Sequence, residues 1–105
     1  MAQKKIQNRR LELDDIFRGL TPNVYFQPPE STKMKFPAIR YKRTAFDTTY
    51  ADNSPYLIEK AYEVTVIDKN PDSEIVDAIS KLKYARHIRF FTNDNLNHDV
   101  FLIYF

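Results

Sequence analysis

The stretch His98-Asp99-Val100-Phe101-Leu102-Ile103-Tyr104-Phe105 is apolar in both of its alternating sets, Val100, Leu102 and Tyr104 in one and Phe101, Ile103 and Phe105 in the other. Successive strand side chains point to opposite faces. A strand apolar on both is therefore central in a sheet with a helix over one side, or is pressed against another chain. A terminus this apolar must be tied into a sheet, a core or a neighbouring subunit. Just upstream, His87-Ile88-Arg89-Phe90-Phe91 reads as a strand and Thr92 to Asn97 as an Asn/Asp-rich turn, so the two strands form a hairpin. Before them, Asp72 or Ser73 opens a helix whose Ile75, Val76, Ile79 and Leu82 share a face. Asp77, Ser80, Lys81 and Lys83 take the other.

Further back, Leu57 to Ile67 alternates, with Tyr62, Val64 and Val66 against Glu63 and Thr65, which is the pattern of a half-buried strand. Arg43 to Pro55 is rich in Thr, Asp, Asn, Ser and Pro and reads as a long loop carrying Phe46 and Tyr50. In Phe36 to Lys42, Ile39 and Tyr41 alternate with Arg40 and Lys42 across a strand. Val24-Tyr25-Phe26-Gln27 is a short strand stopped by Pro28 and Pro29, expected near an edge. From Lys4 to Arg18 the residues Ile6, Leu13, Ile16 and Phe17, with Leu20 beyond, fall near helical spacing, and Gly19 offers a stop. The expected order is α-β-β-β-α-β-β. That is an α+β domain over residues 1–105, with about five strands in a mixed or antiparallel sheet and two packed helices.

A length of 105 residues suits one domain and one core. With no cysteine, neither disulfides nor thiolate metal sites are available. No apolar run reaches the roughly 20 residues that span a bilayer, and the charged start does not read as a secretory signal. Gly19 is the only glycine, which excludes glycine-rich phosphate loops. The net charge of +2 is uneven: residues 1–54 carry ten Lys or Arg against six acids, residues 55–105 six against eight. Such asymmetry reads either as a solvated surface or as matching to an acidic partner or nucleic acid.

The only histidines are His87 and His98. His98 adjoins Asp99, but neighbours on a strand face opposite ways and make no ready acid–base dyad. No nucleophile, metal set or cofactor site is nominated. Arg40-Tyr41-Lys42-Arg43 is the best candidate for phosphate contact, with Arg40, Lys42 and Arg43 as the contacting cations. The plainer reading is a strand with its cations in water. The chain has fifteen aromatics, seven Tyr and eight Phe, a surplus over what a small core needs. Tyr25, Phe26, Phe46, Tyr50, Tyr56, Phe91 and Phe105 are the ones that favour a partner.

Four segments together carry a family likeness: Asn23 to Pro29, Phe36 to Tyr41, Tyr62 to Asp68 followed by Asn70-Pro71-Asp72-Ser73, and Asp94 to Phe101. They resemble the small tail completion or tail terminator proteins of long-tailed, siphovirus-like bacteriophages and prophages, and the likeness spans nearly the whole chain. It implies a structural protein of the virion, not an enzyme and without cofactors. Such a protein forms a homo-oligomeric ring, commonly a hexamer, at the head-proximal end of the tail after assembly in the host cytoplasm. Its partners would be the tail tube protein and a head-closure or connector protein, with DNA passing through unbound and no membrane involved. Head-closure proteins of similar size are the neighbouring alternative. A small nucleic-acid-binding protein is the alternative from another class.

Overall fold

A computed structural model of the chain describes residues 9–51 and 54–105, with side chains over 9–44 and 60–105. Helix α1 spans Arg9–Arg18, followed by β1 (Val24–Phe26), β2 (Ala38–Ala51), β3 (Ser54–Asp68), α2 (Glu74–Ser80), β4 (Ala85–Asn93) and β5 (Leu96–Tyr104). The strands form one sheet in the order β1-β2-β3-β5-β4. β1 runs parallel to β2, and every other pairing is antiparallel. This is the mixed five-stranded α+β architecture and element order read from the sequence.

The ladder registers sort residues onto two faces. Ile39 pairs with Val66, Tyr41 with Val64, Val64 with Phe101 and Tyr62 with Ile103, so these share one face. That face is the core, where Leu13 and Phe17 from α1 and Ile75 and Ile79 from α2 cover it. Leu13 and Phe17 lie four residues apart on one helix stripe, the spacing that lets both reach the sheet. Ile16, grouped with them by periodicity, is instead 37% exposed. Helix α2 starts as its sequence requires: Ser73 is the N-cap, and its hydroxyl accepts the Ile75 N–H at 3.2 Å. The β4–β5 turn is closed by Asp94 and Asn95, both at positive φ. This is the two-residue geometry that Asp and Asn tolerate.

β5 lies between β3 and β4, with Phe101 and Ile103 under the helices. That placement is why the strand is apolar on both faces. Phe105 packs against the core's margin, and its N–H donates to the Lys60 carbonyl at 3.0 Å.

One expectation fails. Residues 43–55 are not a loop, because β2 continues to Ala51 and β3 begins at Ser54, with a register shift between Arg43 and Ala45. Polar composition suggested a loop, yet Thr44, Thr48, Thr49, Phe46 and Tyr50 are also strand formers. Cross-strand pairing overrides the missing alternation. The result is a long two-stranded arm beyond the helix-covered sheet. The radius of gyration is 15.1 Å and the principal extents are 51 × 26 × 25 Å. A compact chain of this length would have a radius nearer 13 Å.

Candidate functional site

Four surfaces compete for a function. The first is the outer edge of β4. Nothing among the described residues pairs with this nine-residue strand on its free side, and from Arg86 to Asn93 every residue is exposed. Ile88, Phe90 and Phe91 are exposed by 41%, 50% and 38%. A long free strand with apolar side chains is a template for pairing with another chain. A bulge between His87 and Arg89 lies midway along it. Of the aromatics favoured for a partner, Phe91 lies here, stacked on His98 at 4.6 Å with the Arg89 guanidinium 5.8 Å from its centroid. Ile88 and Phe90 were missed. In a sequence containing Phe90-Phe91, alternation forces one ring to each face, but only the strand's place at the edge tells that neither is covered.

The second surface is the sheet face opposite the helices. By register it carries Arg40 and Lys42 on β2, Glu63 and Thr65 on β3, and Arg86 and Arg89 on β4. A groove of about 240 Å³ lies there, lined by Pro28, Arg40, Lys42, Glu63 and Thr65. Arg43 is not part of it. It pairs with Tyr62 and turns to the helix side, so the three cations proposed for phosphate contact are divided between two faces.

The third surface is a groove of about 320 Å³ on the helix side, lined by Arg10, Phe26, Gln27, Arg43, Lys60 and Tyr62. Phe26, one of the partner candidates, is half-buried here: its ring lies 4.9 Å from that of Tyr41, with the Arg10 guanidinium 4.2 Å above it. Phe105 is likewise half-buried, with Arg9 4.9 Å over its ring. Tyr25 is half-buried, and its hydroxyl accepts the Lys35 N–H at 3.2 Å. Beneath the groove Tyr41 donates to Asp14 at 2.5 Å and accepts from Arg10 at 3.2 Å. Burial, reinforced by the Asp14 bond, holds the Tyr41 phenol well above the ordinary tyrosine range. Burial also raises Tyr62, against the opposing charges of Arg10, Arg43 and Arg9.

The fourth is a His–Asp pair. His87 Nε2 lies 2.9 Å from Asp99 Oδ1, and the His87 ring meets the edge of Phe101 at 5.1 Å. The sequence view considered His98 with Asp99 and missed His87, because the contact crosses between β4 and β5. Such a pair can move a proton. However, among the described residues no hydroxyl hydrogen-bonds to His87, and no group of three or more His, Cys, Asp or Glu could hold a metal ion. No helix among them is long and apolar enough to cross a membrane. The side chains of Phe46, Tyr50 and Tyr56 lie outside the described residues.

Comparison with protein-family models, curated proteins and solved structures finds no match.

Proposed function

We propose that this chain is a structural adaptor of the phage tail completion or terminator type, a ring-forming protein that caps a tail tube and joins it to the head. The observation that carries the reading is the bare β4 edge. A monomer that left Ile88, Phe90 and Phe91 exposed on a free nine-residue strand would invite association, and a ring uses such an edge by giving each copy a neighbour. The edge lies across the sheet from β1 and β2, so a copy docking there presents its own bare β4 to the next. Contacts of that head-to-tail kind close into rings when the rotation allows. The segment likeness supplies the particular setting, and a head-closure position is the variant within it.

Mass measurement over a range of concentrations tests this, alone and with tail tube protein. The expected result is a discrete oligomer, hexameric if the likeness holds, whose population grows with concentration. A chain that stays monomeric in both conditions refutes it. A second reading, nucleic-acid binding, is favoured by the four exposed cations Arg40, Lys42, Arg86 and Arg89 on the open face. It predicts DNA affinity that falls steeply with salt and drops on replacing Arg40 and Lys42.

A further inference from the structure

We infer that the bare β4 edge of one copy pairs with the outer edge of the β2–β3 arm of the next, antiparallel and with open faces continuous, and that Arg86 and Arg89 recognise the carboxylates of that arm. The inference rests on the ring reading and names the partner of its edge.

The first ground is geometric. β1 pairs only with Ile39, Arg40 and Tyr41 of β2. Among the described residues no strand joins β2 over 44–51 on the side away from β3. The stretch 43–51 therefore offers a second free edge as long as the nine-residue β4. The two edges lie on opposite sides of the sheet. Each of β2, β3, β5 and β4 is antiparallel to its neighbour in that order, so β4 runs opposite to β2. Copies set side by side in one orientation thus bring β4 against β2 as an antiparallel pair, with no inversion needed.

The second ground is charge. Between Thr44 and Glu59 the arm has three carboxylates, Asp47, Asp52 and Glu59, and neither Lys nor Arg. The ladder sets Asp47 directly opposite Glu59. Like charges so placed weaken a strand pair unless a cation comes between them. β4 has the complementary set, Arg86 and Arg89 with no acid. The faces agree as well. Glu59 follows Ala61 and Glu63 in the alternation of β3, so positions 47 and 59 belong to the open face, the face of Arg86 and Arg89. Full overlap of 43–51 with 85–93 places Arg89 opposite Asp47. It also sets Phe90 opposite Phe46 at helix-side positions.

Charge exchange tests the pairing. One variant carries Arg86→Glu and Arg89→Glu, the other Asp47→Lys and Glu59→Lys. Each alone meets like charge at every junction, and its self-association is expected to weaken on the order of 100-fold in analytical ultracentrifugation. Mixed in equal amounts, each copy meets its complement on both sides, and oligomers of even copy number should return to near wild-type affinity. Recovery on mixing also shows that both variants fold. If the wild-type chain assembles while either variant assembles equally well, or the mixture does not recover, the edge pairing is wrong and the ring reading survives. If the wild-type chain does not assemble even with tube protein, the ring reading itself falls.

Discussion

At one side of the sheet β1 has three residues, is followed by Pro28 and Pro29, and is tied down at both ends. Thr21 and Asn23 both donate to the Pro37 carbonyl at 3.0 Å, and the Gln27 side chain accepts the Arg43 N–H at 3.3 Å. At the other side β4 runs for nine residues with Ile88, Phe90 and Phe91 exposed and no proline. Short length, proline and side-chain capping are the usual ways a protein blunts an edge. This chain uses all three at β1 and few at β4. The contrast teaches that the bare edge is not a general looseness of the fold. It is local, and locality is what a partner site requires.

The largest expected effect comes from the core beneath β4, where edge and fold are easiest to confuse. Phe101 is fully buried, pairs with Val64 and His87, and lies in the cluster covered by both helices. Phe101→Ala should cost about 3–5 kcal/mol in urea unfolding, through lost burial and the cavity left behind. Phe90→Ser, one strand over and half exposed, should change stability by no more than about 0.5 kcal/mol while reducing self-association. Equal losses of stability in the two variants would erase the distinction between edge and core.

Much of this contrast was visible in the sequence, and the part that was not has a physical reason. β5 announced itself by being apolar on both faces, β3 by the alternation of Tyr62, Val64 and Val66, and α2 by Ser73 with its apolar stripe. Those signals are local. The arm was hidden because Thr and Asp serve loops and strands alike, and only the ladder between 45–51 and 54–61 decides. The contact between His87 and Asp99 was hidden for the same reason: it depends on register across a turn. Arg43 could not be separated from Arg40 by sequence, since the irregularity after it is a property of the pairing.

A middle-sized effect is expected at Tyr41, which joins α1 to the β1 side. Tyr41→Phe removes the bonds to Asp14 and Arg10 while keeping the ring contacts with Phe17, Phe26 and Tyr62. At neutral pH the cost should be about 1–2 kcal/mol. The alkaline response should improve. The folded chain holds the Tyr41 proton more tightly than the unfolded chain does, so once pH passes the unfolded tyrosine value of about 10 the folded state is the more protonated one. Stability then falls as pH rises further. Urea midpoints on either side of that pH should show a shallower loss in the variant, with Tyr62 leaving a residual slope. An unchanged slope would mean that the phenol is not held by its burial.

The smallest effect sharpens the comparison from the blunted side. Gln27 extends β1 by a side chain where no further strand residue follows: its N–H donates to the Tyr41 carbonyl at 2.9 Å, and its amide oxygen takes the Arg43 N–H. Gln27→Ala keeps the backbone bond and loses only the exposed side-chain one, a cost of about 0.5 kcal/mol or less. Its consequence for association should have the opposite sign to that of Phe90→Ser. Freeing the Arg43 amide lengthens the outer edge of β2 that a neighbour's β4 can meet, so the oligomer should form at equal or lower concentration. Weaker assembly from this variant would mean that the Gln27 cap shapes the receiving edge instead of shielding it, and that the two sides of the sheet are less independent than their construction implies.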